Sequence, residues 1–254
     1  MCVPCVRRLR AASLFLLAAC GAGAQGIPDA YTLVELQPLV PGQTASVRAI
    51  NNLGVSVGQS GGRDGVGTRW VGGSTPGALP LPAGETVSAP LAINDRGTVV
   101  FRVGERFAPS ATLQVLREGG PFVQLVPPPI PETYEIGFTR DASISSRDEV
   151  LILVPTPSID VGDAAVFWSP NAGGTFDAET DTALGFRQGD LGTAALSDSG
   201  LRGSGTWSLD GSGGFVTVRD PVFPTSDRTV QTNDECIIAG ITTSDVIAYS
   251  AGNQ

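Results

Sequence analysis

A short motif recurs five times along the chain, and this repetition restricts the folds that the chain can adopt. Repeats at irregular steps of roughly 36–52 residues have the period of β-propeller blades, each of which is one small sheet. The copies are AINNLGVSVG at 49–58, AINDRGTVVF at 92–101, SISSRDEVLI at 143–152, ALSDSGLRGS at 195–204 and QTNDECIIAG at 231–240.

Each copy predicts a β-hairpin, because β-prone runs lie on both sides of a turn sequence. A short polar side chain opens the turn by accepting hydrogen bonds from the backbone, and a Gly three residues later can adopt the positive φ that the turn needs. Asp148 and Cys236 stand at this Gly position in copies three and five. The predicted turn residues are Asn51, Gly54, Asn94, Gly97, Ser145, Ser197, Gly200 and Asn233.

Further β-prone runs after the hairpins predict blades of four strands. The third runs are Thr68–Val71, Ala111–Leu116, Ala164–Trp168, Gly214–Val218 and Val246–Tyr249. The fourth runs are Ala78–Leu81, Phe122–Val126 and Thr180–Leu184, with Pro221–Pro224 as a weak candidate because Pro cannot donate to a sheet. The fifth unit has no fourth run of its own.

One β-prone run, YTLVEL at 31–36, precedes the first motif and belongs to no unit. We expect it to pair with Val246–Tyr249 and to complete the last blade, which leaves no open sheet edge between the first and last blades. A plain N-terminal edge strand is the alternative. The sequence therefore predicts an all-β, five-bladed β-propeller over residues 31–254, with a β-solenoid or paired sandwiches as rival folds.

The first 24 residues predict an export signal. Three Arg residues precede a short apolar run at 11–19, which is too short to span a bilayer. In one interpretation the signal is a lipoprotein signal that ends at residue 19, and Cys20 is lipidated. In the other, cleavage after Ala24 gives a mature chain that begins at Gln25. Both predict an exported protein at the outer surface or in the periplasm, and only the first attaches it to a membrane, through lipid.

Composition excludes several classes of function. The chain has no His, and its 16 basic residues are all Arg against 25 acids, for a formal net charge of −9. An acidic chain without basic runs is a poor nucleic-acid binder. Without His, the Ser-His-Asp and Cys-His nucleophiles do not exist. We therefore predict no catalytic, metal-binding or cofactor-binding residues, no cofactor and no nucleic-acid partner.

Carboxylates are the remaining candidates for chemistry. Asp141 and Asp190 precede the first strands of units three and four, where a glycosidase pair would have to project into a central channel; solvated loop acids are the simpler interpretation. The acids in Asp177–Asp181 are spaced like part of a calcium loop but lack the Gly and Glu of an EF-hand. Trp70, Trp168 and Trp207 are more simply core residues between blades than sugar-stacking residues.

The repeats resemble those of bacterial extracellular proteins of the HAF type, whose units run roughly A-I-N-x-x-G-x-V-V-G and continue into an Ala-Phe-x-Trp-like strand. Copy one matches best, and copy two is similar to a related N-x-x-G-x-x-A-F tandem repeat. The resemblance spans roughly residues 31–250 and implies export and a propeller-like fold, but no activity. The residues that carry it in copy one are Ala49, Ile50, Asn51, Gly54 and Gly58, followed by Trp70.

These observations together predict an exported, non-enzymatic module for binding or interaction. Propellers present converging loops at each end of the blades, which suits recognition of a ligand or partner. The expected partner is an extracellular ligand, glycan or protein. A lectin-like protein with one weak sugar site per blade and a carboxylate-based glycosidase are the alternatives.

Overall fold

The computed structural model describes residues 34–62, 65–72, 75–105, 108–128, 139, 141–155, 163–180, 191–207, 214–220, 228–232, 236–241 and 247–251. The chain divides into a leading unit, Met1–Val34, of which only Val34 is described, and a unit Glu35–Gln254 that contains all the strands. Within the described ranges every regular element is a β-strand. No helix in these ranges is long and apolar enough to cross a membrane.

The eighteen strands in the described part of the chain form five antiparallel sheets, numbered here in chain order. Sheet 1 contains β1 (Ala45–Ile50), β2 (Ser56–Ser60), β3 (Val66–Val71) and β4 (Thr75–Ala78). Sheet 2 contains β5 (Ser88–Ile93), β6 (Val99–Val103), β7 (Thr112–Leu116) and β8 (Phe122–Leu125). Sheet 3 contains β9 (Ala142–Ile144), β10 (Val150–Pro155), β11 (Asp163–Pro170) and β12 (Phe176–Thr180). Sheet 4 contains β13 (Leu191–Leu196), β14 (Arg202–Trp207), β15 (Gly214–Arg219) and β16 (Arg228–Thr232), and sheet 5 contains β17 (Cys236–Ile241) and β18 (Ile247–Ala251).

Each of the first four sheets is a meander in which every strand pairs with the next strand along the chain. Apolar clusters lie between consecutive sheets: one joins sheets 1 and 2, one joins sheets 2 and 3, and one joins sheets 3 and 4. The prediction of an all-β chain is confirmed. Four-stranded antiparallel meanders that pack face to face in chain order fit a β-propeller.

The sequence of β10, VLILVP, shows why the sheets pack in this order. Successive side chains of a strand point to opposite faces. Val150, Ile152 and Val154 join the cluster against sheet 2, whereas Leu151 and Leu153 join the cluster against sheet 4. A strand covered on both faces loses the alternation of apolar and polar residues, so β10 is an uninterrupted apolar run.

Three of the predicted fourth strands are displaced. In unit three the strand is Phe176–Thr180, not Thr180–Leu184, because a tight turn reverses the chain directly after β11. Asn171 Oδ1 accepts the amides of Gly173 and Thr175 at 3.1 Å each, and this turn was overlooked in the sequence. In unit four the strand that pairs with β15 is Arg228–Thr232, whose β-branched residues suit a strand, and the predicted Pro221–Pro224 lies outside the described residues. The fourth strand of unit one, Thr75–Ala78, also begins earlier than predicted, but Leu79 N still donates to Gly67 O at 2.8 Å.

The fifth hairpin is also wrongly placed by the sequence argument. Asn233 itself lies outside the described residues, but the strands on its two sides belong to different sheets: β16 pairs in sheet 4 and β17 in sheet 5. The hairpin of sheet 5 is β17 with β18, so Val246–Tyr249 overlaps a second strand and not a third. Register explains the error. β17 carries a bulge between Ile238 and Gly240, as β1 does between Val47 and Ala49, and therefore occupies the place of a first strand.

The predicted strand at 31–36 is described only in part. Residues 31–33 lie outside the described ranges, and Val34–Leu36 belong to no strand. The residue that follows, Gln37, is structurally equivalent to Val126, however, because each accepts a hydrogen bond from a Trp side chain. Trp70 Nε1 in β3 donates to Gln37 O at 2.7 Å, and Trp168 Nε1 in β11 donates to Val126 O at 3.1 Å. Since Val126 directly follows the outer strand of the preceding sheet, Gln37 occupies the position that follows an outer strand.

The first strand of sheet 1 differs from that of sheet 2 in burial. All six residues of β5 are buried, whereas five of the six residues of β1 are exposed. Ile50 is 65% exposed, although Ile93, at the same place in the motif, is 7% exposed. The face of sheet 1 that points away from sheet 2 therefore carries exposed apolar side chains.

Candidate functional site

The predicted turn residues of copies one to four lie at one end of the sheets and organise their own turns, whereas Asn233 lies outside the described residues. Gly54, Gly97 and Gly200 have φ values of 74°, 78° and 98°. Asn51 Oδ1 accepts the amides of Leu53 and Val55 at 3.1 and 2.9 Å. The serine hydroxyl oxygens play the same part in copies three and four. Ser145 Oγ accepts the amides of Arg147 and Glu149, and Ser197 Oγ accepts the amide of Leu201.

These turns also bond to one another across consecutive sheets. Asn51 Nδ2 donates to Asn94 O, and Asn94 Nδ2 donates to Ser145 O, both at 2.9 Å. The same amide of Asn94 donates to Asp148 Oδ1 at 2.9 Å. The Asn side chain at the first turn position thus accepts hydrogen bonds within its own turn and donates one to the next sheet. These two structural roles account for the presence of Asn at that position.

Asp148 occupies the Gly position of the turn in copy three and also forms an ion pair with a neighbouring sheet. It adopts a φ of 65°, which Asp tolerates better than most residues with a Cβ. Its Oδ2 accepts Arg117 Nε at 3.0 Å, and the side chain is only 8% exposed. Burial raises the pKa of Asp148, but hydrogen bonds from Thr98, Asn94 and Arg117, together with the charge of Arg117, outweigh it and hold the pKa below its usual value. Asp148 therefore ties sheet 3 to sheet 2 as a carboxylate.

The residue that follows each turn opener lines a cavity of about 300 Å³, which we call the hairpin cavity. Asn52 donates through N and Nδ2 to the two carboxylate oxygens of Asp95 at 2.8 Å each, and Ser146 N donates to Asp198 Oδ1 at 2.5 Å. The wall thus presents carboxylate, amide and hydroxyl groups. Four apolar residues, one from each of the first four copies, lie beside them: Ile50, Ile93, Ile144 and Leu196.

A second cavity of about 270 Å³, the arginine cavity, lies at the opposite ends of β1 and β2. Its lining includes Arg48, Arg102, Gln59, Thr44 and Ser46. Arg102 is 5% exposed and donates from Nη1 to Thr139 O at 3.0 Å. The cavity therefore contains two permanent positive charges in a chain whose formal net charge is −9.

Asp141, proposed from sequence as a glycosidase acid, is held between sheets 3 and 4. Its Oδ1 accepts Ala142 N at 3.0 Å and its Oδ2 accepts Ala194 N at 3.3 Å. Burial raises the pKa of Asp141 above its usual value, although the two amides and the charge of Arg48 act in the opposite direction. Both oxygens of this carboxylate are thus already bonded, which is the geometry of an inter-sheet link.

The other acids and aromatic residues singled out from sequence have protein partners wherever they are described. Asp177 accepts Asn171 Nδ2 at 2.9 Å, and Glu179 forms an ion pair with Arg202. Trp70 and Trp168 are fully buried. In the described part of the chain no group of three or more His, Cys, Asp and Glu residues could hold a metal ion. Cys20, Asp181, Asp190 and the side chain of Trp207 lie outside the described residues.

Ile50, Asn51 and Asn94 were named from sequence for other reasons, but the remaining cavity residues were not singled out by the sequence argument. A signal for the hairpin cavity was present, since the second turn position is polar in copies one to four, as Asn52, Asp95, Ser146 and Asp198. No comparable signal marks Arg48 and Arg102, because they come from different strands of different sheets and do not share a motif position.

No protein-family model matches the chain, and no curated protein is similar to it at a significant level, so membership of a HAF-type family stays a prediction. Among solved structures, virginiamycin B lyase from Staphylococcus aureus is similar with a TM-score of 0.47 and 9% identity, over 82% of this chain and 70% of that one. A protein from Lactobacillus plantarum is similar with a TM-score of 0.41 and 11% identity, over 72% of this chain and 53% of that one. Similarity at these levels carries no inference about function.

Proposed function

We propose that the protein is an exported, non-enzymatic binding module built as a closed, five-bladed β-propeller, with its ligand in the hairpin cavity. The equivalence of Gln37 and Val126 supports closure, since Gln37 O accepts the indole N–H of Trp70 as Val126 O, which follows the outer strand of the preceding sheet, accepts that of Trp168. Closure would protect the amides of β1 from hydrogen exchange, and fast exchange along β1 would contradict it.

The proposal that the protein is exported rests on the first 24 residues of the sequence. A basic start followed by a short apolar run directs export, and the two cleavage sites predict different mature ends. Mass spectrometry of the protein purified from its own cells separates them. An acylated Cys20 supports the lipid-anchored form, a Gln25 start supports the secreted form, and retention of residues 1–24 contradicts export.

The observation that carries the binding proposal is the pairing of acceptors with apolar side chains around the hairpin cavity. Each carboxylate oxygen can accept more than one hydrogen bond, so Asp95 and Asp198 can accept from a ligand in addition to Asn52 and Ser146, and Ile50, which is 65% exposed, offers apolar contact area. Sugars present hydroxyl donors along their edges and C–H groups on their faces, so a neutral, hydroxyl-rich glycan fits this wall. This chemistry also suits the negative charge of the chain, since it requires no anionic ligand.

A glycan screen on the mature domain tests this function, followed by calorimetric titration of any ligand that binds. Asp95→Asn and Asp198→Asn each remove a charged acceptor and keep the shape of the side chain. Loss of a hydrogen bond to a charged group should weaken binding by roughly tenfold or more. Glu85→Gln is the matched control, because Glu85 is an exposed acid that does not line the cavity. Absence of binding at millimolar glycan, or equal affinity of all variants, would refute the proposal.

A glycosidase remains the alternative chemistry, and the environment of Asp141 argues against it. Such an enzyme needs two carboxyl groups that flank the scissile bond, and one of them must exchange a proton with the leaving group. Asp141 uses both oxygens to accept backbone amides. The non-enzymatic proposal therefore predicts no release of reducing sugar from any glycan that binds, and measurable turnover would contradict it.

A further inference from the structure

The arginine cavity contains a charged side chain at a position where the other repeats have apolar residues. Arg48 is the extra residue of the β1 bulge, between Val47 and Ala49. The bulges of β5 and β17 fall at the same place in their strands, where the extra residues are Leu91 and Ala239. Bulges turn a side chain away from its regular direction and are common beside binding sites. In sheet 1 this device directs a guanidinium into a cavity.

Arg48 also differs from the arginines that stabilise the sheets. Five others, namely Arg69, Arg96, Arg117, Arg147 and Arg202, each lie within 4.0 Å of an Asp or Glu oxygen. Arg48 is exposed to the cavity and forms no such ion pair with any residue in the described ranges. The acid whose charge it influences, Asp141, already accepts two backbone amides. Acids outnumber bases in this chain, so an arginine that forms no ion pair with any described acid is a candidate for binding a ligand.

The remaining lining supplies a second cation and neutral polar groups. Arg102 is fixed in place by its bond to Thr139 O and contributes a buried guanidinium. The hydroxyl groups of Thr44 and Ser46 can donate hydrogen bonds, and the buried amide of Gln59 lies alongside. Guanidinium groups bind carboxylates through two parallel N–H···O bonds, and partial burial strengthens these bonds.

We propose that the arginine cavity binds a small carboxylate, with Arg48 as the exposed cation that captures it and Arg102 as the fixed cation beneath. The proposal is independent of glycan binding in the hairpin cavity, since the two cavities share no lining residue. Two sources present the same group: a sugar acid or a simple organic acid. The ring hydroxyls of a sugar acid would add bonds to Thr44 and Ser46, and the volume of about 270 Å³ allows a ligand of that size.

Calorimetric titration of the mature protein with D-glucuronate, acetate and D-glucose tests this site. We expect saturable binding of glucuronate, weaker binding of acetate and none of glucose in this cavity. Arg48→Gln should bind glucuronate about tenfold to a hundredfold more weakly, which is the range for loss of a charged hydrogen-bond partner. Arg96→Gln is the matched control, because it removes the same charge from a side chain that is 64% exposed and does not line the cavity.

The outcomes separate the two sources and the two cavities. Equal affinity for acetate and glucuronate supports the carboxylate site and assigns it to organic acids. Asp95→Asn should bind glucuronate as the parent protein does, and a loss there would place the anion in the hairpin cavity and overturn the proposal. Saturation by neither acid, or equal affinity of Arg48→Gln and the parent, would also overturn it. Unchanged tryptophan emission, from the buried Trp70 and Trp168, checks that Arg48→Gln is folded.

Discussion

The four side-chain hydrogen bonds of Asn94 give a quantitative test of how the repeats are held together. Its Oδ1 accepts Arg96 N and Thr98 N at 3.1 and 3.0 Å, and its Nδ2 donates to Ser145 O and Asp148 Oδ1 at 2.9 Å each. The residue is 5% exposed, so water cannot replace these partners in a variant. At about 1 kcal/mol per bond, Asn94→Ala should lower the free energy of unfolding by about 4 kcal/mol.

Asn51 is the matched comparison, since it has the same place in the motif and a more open setting. It makes three side-chain hydrogen bonds and is half-buried. Water can reach the groups that Asn51→Ala exposes, so the same substitution there should cost about 1–2 kcal/mol. The contrast between the two variants isolates the effect of burial from that of the turn itself.

Guanidinium denaturation followed by tryptophan fluorescence measures the difference. With a slope of about 4 kcal/mol per molar, Asn94→Ala should move the midpoint down by about 1 M and Asn51→Ala by less than about 0.5 M. Asn94→Asp keeps the acceptor oxygen but sets a second carboxylate against Asp148, so its deficit should shrink as the pH falls and one carboxyl group binds a proton. Equal midpoints for the two alanine variants would refute the view that the buried amide links sheets 2 and 3.

Three further predictions concern other links in the sheets. The folded-state pKa of Asp148 is lowered, so its contribution to stability is present above the ordinary carboxyl pKa and is lost as the pH falls through the lowered value; Asp148→Asn should flatten the acid limb of a stability–pH profile. Gly58→Ala should cost about 2–3 kcal/mol in thermal or chemical denaturation, because a Cβ there would lie 1.9 Å from a backbone oxygen, whereas Gly77→Ala, with its nearest neighbour at 3.9 Å, should be nearly neutral. Trp168→Phe should cost about 1 kcal/mol by leaving the carbonyl of Val126 without its donor, and a loss below measurement error would show that this bond contributes nothing.

The hairpins of copies one to four are local events, which is why the sequence could predict them. The turn at Asn51 needs only its own side chain, the backbone two to four residues on and a Gly that can take positive φ. The all-β character follows from the same short-range patterns. Asp148 shows the limit of this reasoning. Its left-handed φ is readable from the repeat, but its ion pair with Arg117 joins residues 31 positions apart.

The tertiary structure alone decided where the repeats meet and what they enclose. The fifth hairpin moved to β17 and β18 because Arg228–Thr232 completes sheet 4, a choice that depends on competition between two sheets for one segment. Arg48 and Arg102 became neighbours in one cavity only when sheets 1 and 2 packed together. Hydrogen bonds within a turn depend on residues that are close in sequence, whereas a cavity is lined by side chains from different sheets. The sequence therefore determined the repeating unit, and the packing of one unit on the next determined the two candidate sites.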